Sequence, residues 1–114
     1  MITITLDRSP NGLIRSFTAS GHAGYAPEGS DIICAAVTAI AATTIGSLQD
    51  LAKLNITYRM DDGYITCSLP DFKSMDPDRF QVAKTLMEAM AIGCRQIEHS
   101  YGQRYVRVIE KIDE

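Results

Sequence analysis

Apolar residues alternate with threonine at the start of the chain. Ile2, Ile4 and Leu6 are separated by Thr3 and Thr5, and a period of two predicts a strand with one buried face. Pro10-Asn11-Gly12 marks a turn, so residues 13–19 read as a second strand in a hairpin with the first. A loop over residues 20–30 holds Gly21, Gly24, Pro27 and Gly29. The spacing then becomes helical over residues 31–54, with Val37, Ile40, Thr44, Leu48 and Leu51 on one face. Residues 32–42 are apolar nearly all round, which predicts burial on several sides. Residues 56–60 and 64–69 read as two short strands joined by the tight-turn signal Asp62-Gly63. Ser74 or Asp76 caps a second helix with Pro77 in its first turn. Its stripe is Phe80, Ala83, Met87, Met90, Cys94, Ile97 and Tyr101, and Gly102 ends it. A last strand over residues 104–109 and a solvated charged tail over 110–114 complete the pattern. The predicted fold is α+β in the order ββαββαβ, with two helices packed on a mostly antiparallel sheet. Residues 1–114 read as a single domain, since 114 residues suffice for one core and are too few for two.

Composition removes several functions. A net charge of −3, with basic residues scattered rather than clustered, argues against a protein that grips nucleic acid by charge. The alternating start is strand-like rather than a leader peptide. The most apolar stretch, residues 32–45, is shorter than the roughly 20 residues of a membrane span and is read as a buried helix. No membrane partner is expected, and the location expected is the cytoplasm. Cys34, Cys67 and Cys94 are odd in number and lack CxxC spacing, so reduced thiols are expected rather than a disulfide framework, a zinc site or a redox pair. With only two histidines and no HExxH, neither a metal site nor another cofactor is expected.

The chemistry concentrates in Gly21-His22-Ala23-Gly24-Tyr25 and the following Gly29-Ser30-Asp31-Ile32-Ile33-Cys34. A histidine closes a strand, a glycine-rich loop follows, and a cysteine falls in the first turn of a helix. Unpaired N–H groups and the helix dipole favour negative charge there, so the thiol can act as thiolate. A neighbouring imidazole would complete a nucleophile and base, and the same N–H groups could hold an oxyanion. The structural alternative is a core thiol at Cys34 and a His22 that satisfies strand-end backbone. Cys67 shares a core-facing strand face with Ile65 and Leu69, and Cys94 lies in the apolar stripe of the second helix, so both read as packing thiols, and His99 as a surface residue. The glycines at both ends of the 20–30 loop, with Pro27 between, suggest a flap over the site.

The segments GHAGYA, residues 21–26, and GSDIICAAV, residues 29–37, resemble the signature of the ribosomal-processing cysteine protease family Prp. Chain length and element order are also similar. The resemblance implies a cytoplasmic cysteine endopeptidase that removes an N-terminal extension from protein twenty-seven of the large ribosomal subunit. The extension would otherwise block the peptidyl-transferase region. Carried over by position, His22 is the base and Cys34 the nucleophile. Asp31 would orient the site and Gly21 would give the loop its freedom. Thr38 stands where the family often has serine. Ala23, Gly24, Tyr25, Gly29 and Ser30 would form the substrate loop. The resemblance also implies a homodimer, with which the apolar first helix is compatible. A non-enzymatic ribosome-assembly or regulatory partner, with Cys34 in the core, is the alternative; a thiol redox protein should show a resolving cysteine near Cys34, and none is spaced for it.

Overall fold

The computed structural model describes residues 1–27 and 29–112. Its strands are β1 (Ile2–Arg8), β2 (Ile14–Ser20), β3 (Thr57–Asp61), β4 (Tyr64–Ser68) and β5 (Val106–Ile112), and its helices α1 (Ile32–Asp50) and α2 (Pro77–Tyr101). A single 3-10 turn, Phe72–Ser74, precedes α2. The sheet order is β3-β4-β2-β1-β5, antiparallel throughout except where the last strand runs parallel to the first. The order ββαββαβ and the α+β class therefore stand.

Alternation decides the layers. Ile2, Ile4 and Leu6 of β1, Phe17 and Ala19 of β2, and Ile65 and Cys67 of β4 all face the helices and are buried. Against them lie Ile33, Val37, Ala41, Ile45 and Leu48 of α1, and Ala83, Met87, Met90, Cys94 and Ile97 of α2. Asp76 caps α2 by accepting the Arg79 N–H at 2.9 Å, with Pro77 next, where its missing N–H costs nothing.

Several boundaries differ from the sequence pattern. Helix α1 ends at Asp50 rather than near Leu54, and Leu51 is 65% exposed. Its first half is not buried on several sides: Ile32 is 54% exposed, and Ala35, Ala39 and Ala42 face outward. Among the described residues α1 is the one helix long and apolar enough to cross a membrane, yet its buried face completes the core of the sheet. The last strand begins at Val106 and continues to Ile112, through much of the stretch expected to be a solvated tail. Six main-chain positions beyond Ile2 of β1 pair in register up to Arg8↔Ile112, which carries Glu110 and Lys111 into the ladder. Residues 113 and 114 of that tail lie outside the described residues.

Candidate active site

Sheet register brings the site together at one end of the molecule. Ser20 at the end of β2 pairs with Tyr64 at the start of β4, and Thr3 with Ser20. Just beyond, the Gly21 N–H donates to the Gly63 carbonyl at 2.9 Å. His22 thus leaves the sheet beside the β3–β4 turn and opposite the start of α1. Cys34 is half-buried in the first turn of α1. The two side chains share two adjoining clefts. One, of about 300 Å³, is walled by Ile2, Val37, Met60, Tyr64 and Ile65. The other, of about 680 Å³, is walled by Gly24, Ala26, Gly29, Ala35, Ala39 and Ala42. His22, Cys34, Thr38 and Asp62 line both, so they stand at the junction.

Asp31 organises this junction. One carboxylate oxygen accepts the N–H groups of Ile33 at 3.0 Å and Cys34 at 3.1 Å. The other accepts Tyr25 N–H at 2.9 Å and Ala26 N–H at 3.3 Å. One side chain thereby caps α1 and fastens the loop that follows His22. Burial pushes this carboxyl up, but the N–H groups of Cys34, Tyr25, Ala26 and Ile33 together outweigh it and hold its pKa below the ordinary value. Because Asp31 occupies the Ile33 and Cys34 N–H groups, these are not free to hold an oxyanion, contrary to the expectation from helix position. The N–H aimed at the sulfur comes instead from buried Ala23, 3.4 Å from Sγ. Tyr25 packs edge-on against Tyr101 and Tyr105, at 5.8 and 5.2 Å between ring centres. Ser30 donates its N–H to the Pro27 carbonyl at 3.0 Å.

Gly21 is not a point of freedom. Its φ is +99°, and a Cβ there would lie 2.4 Å from the Met1 carbonyl oxygen. Glycine is required by a close approach of backbone, so an alanine would disturb the fold as well as the loop. Cys67 and Cys94 are fully buried, and burial pushes their thiols up to about 11 and about 12. His99 is exposed in the last turn of α2. Sequence reasoning missed Met60, Asp62, Gly63 and Tyr64, which belong to a hairpin more than twenty-five residues beyond Cys34. Asp62-Gly63 is visible in the sequence only as a turn, and nothing local places that turn beside His22.

A thiol and an imidazole lining one groove at the end of an α+β sheet form the arrangement of a cysteine hydrolase. The chain belongs to the cysteine protease Prp family, whose sequence profile matches residues 1–107. It is a cysteine protease. It is 35% identical over 103 residues to the ribosomal processing cysteine protease Prp of Bacillus subtilis (strain 168), covering 89% of this chain and 90% of that one. Its fold is similar to that of the S. aureus protease Prp crystallised with a covalently linked product peptide. That match has a TM-score of 0.85 and 22% identity, and covers 97% of this chain and all (100%) of the other. SMU.848 from Streptococcus mutans is similar at a TM-score of 0.81 and 27% identity, over 99% of this chain and 96% of its own. The family sets aside the non-enzymatic and redox alternatives.

Proposed function

We propose that this protease removes the N-terminal extension of protein twenty-seven of the large ribosomal subunit in the cytoplasm, using Cys34 as nucleophile and His22 as base. The observation that carries the site assignment is the junction itself, where the Ala23 N–H points at Sγ and its neighbour His22 lines the same clefts. The substrate assignment is supported by the relative in Bacillus subtilis, named as a ribosomal processing protease. Sγ attacks the scissile carbonyl carbon, and His22 gives the proton it took from the thiol to the leaving amine. Water, deprotonated by His22, then cleaves the thioester and restores the thiol. The larger cleft is walled by alanine and glycine, and small walls leave room for an aromatic side chain just before the scissile bond. Residues 22–27, fastened through Tyr25 and Ala26 to Asp31, close over the bound peptide. Exposed apolar residues on α1 are compatible with a homodimer, which sedimentation at increasing concentration would reveal.

Incubating the protein with a full-length precursor under reducing conditions tests the reading. Cleavage at the extension junction is expected, and Cys34→Ala should abolish it. Hydrogen exchange in residues 23–27 should slow when Cys34→Ala binds the uncut peptide. An intact native precursor would refute the assignment.

A further inference from the structure

The geometry points to Gly63 as a positioning residue for the imidazole of His22. This rests on the Cys34–His22 reading and extends it to the β3–β4 turn. A Cβ built on Gly63 would lie 2.7 Å from Nε2 of His22, 3.3 Å from Cε1 and 3.4 Å from Cδ2. The bare α-carbon of Gly63 therefore forms the surface on which the ring rests. The same residue accepts the Gly21 N–H at 2.9 Å, so the backbone that carries His22 and the surface that supports its ring are fixed by one residue. A side chain at this position cannot coexist with the ring where it stands. The ring has two rotatable bonds and would turn aside, whereas the backbone held by sheet pairing would not. Displacing a catalytic group by about 1 Å can cost about a hundredfold in rate.

The turn explanation of this glycine is that φ of +74° suits glycine in any hairpin. Gly12 provides the comparison. Its φ is +90°, and a Cβ there would meet nothing within 4 Å among the described residues. Alanine at Gly12 thus suffers a similar backbone penalty in a hairpin turn without touching the imidazole.

The test uses the full chain and the variants Gly63→Ala, Gly12→Ala, His22→Ala and the double variant His22→Ala with Gly63→Ala. Iodoacetamide labelling of Cys34 is followed by peptide mass mapping at neutral pH, below each variant's melting temperature. Gly63→Ala should slow labelling about tenfold or more, as His22→Ala does, while Gly12→Ala keeps the wild-type rate. The double variant should label no more slowly than His22→Ala alone, because Gly63 acts through the ring. With a junction peptide, Gly63→Ala should lower kcat and leave KM nearly unchanged. Should Gly63→Ala be too unstable to assay, removing the imidazole removes the clash, and the double variant should melt near Gly12→Ala. A wild-type labelling rate in Gly63→Ala, further slowing in the double variant, or failure of the double variant to regain stability would each overturn the proposal. A wild-type rate in His22→Ala would instead bring down the underlying Cys34–His22 reading.

Discussion

At the scale of single residues, the site depends on one carboxylate more than on helix position. Asp31 was legible as the residue opening a helix, because an Asp before an apolar helical run is a capping signal. Its second pair of acceptor bonds, to Tyr25 and Ala26, was not legible. Those bonds depend on how a loop folds back, which no periodicity encodes. The consequence is a pH dependence. The folded-state pKa of Asp31 lies below the unfolded value of 3.8. Its stabilisation is therefore complete above that value and is lost as pH falls through the lower folded-state pKa. Asn at this position can still cap a helix but carries no charge. The melting-temperature gap between wild type and Asp31→Asn should be widest near neutral pH and should close under acid, below about pH 4. A gap that stays constant from pH 7 to pH 3 would show that the charge is not what binds the loop. Cys34 labelling should also slow in Asp31→Asn, since Ala23 and the helix start would no longer be held together.

At the scale of elements, strand alternation and the α2 stripe were readable because burial of one face imposes a period. The end of α1 was not, and the reason lies in Lys53. Leu51, Ala52 and Leu54 are apolar enough to extend the helical pattern, yet the chain leaves the helix after Asp50. Lys53 has φ of 54°, the left-handed region, and is the one non-glycine residue described there. Leu54 then returns its N–H to the Leu48 carbonyl at 3.2 Å, and Ala52 to Ser47 at 3.3 Å. Both Leu54 and Leu48 are buried in the core, so the left-handed turn at Lys53 brings the chain back over the end of the helix and returns Leu54 to the apolar interior. Glycine is the usual residue at the left-handed position, and the lysine gives no signal of it. Lys53→Gly should remove the strain of a left-handed lysine, offset in part by the greater unfolded-state entropy of glycine. A net gain of about 0.5–1 kcal/mol is expected, read by denaturant unfolding. A loss of stability would mean that the lysine side chain contributes packing this geometry does not reveal.

At the scale of the whole molecule, chemistry and a large share of polar fastening sit at opposite ends of the sheet. The site gathers where β1 and β4 begin and β2 ends. Arg8, at the far end of β1, is six residues from Ile2, or roughly 20 Å along a strand. It is a mostly buried hub. Its guanidinium bonds Glu88 of α2, Glu110 of β5 at 2.7 and 2.6 Å, and the Gly12 carbonyl of the β1–β2 turn at 2.6 Å. It therefore ties α2 and the edge strand β5 to β1, including the parallel β1–β5 pairing that closes the fold over a separation of about a hundred residues. The sequence does not disclose this, because Arg8, Glu88 and Glu110 look like ordinary surface charges until β5 is seen to run beside β1. Arg8→Met keeps the bulk of the chain and removes the charge that Glu88 and Glu110 share, leaving two part-buried carboxylates with Arg95 3.6 Å from Glu110. Losing charged hydrogen bonds of this kind should cost about 2 kcal/mol, measured by urea unfolding. Because the remaining carboxylates repel, the deficit should shrink as salt screens them. Since none of these residues is among the described residues that line the clefts, kcat per folded molecule should equal that of wild type at a temperature where both are folded. A fall in kcat without a loss of stability would show that the two ends of the sheet are coupled, and that α2 or β5 transmits strain to the loop through Tyr101 and Tyr105, the rings on which Tyr25 rests.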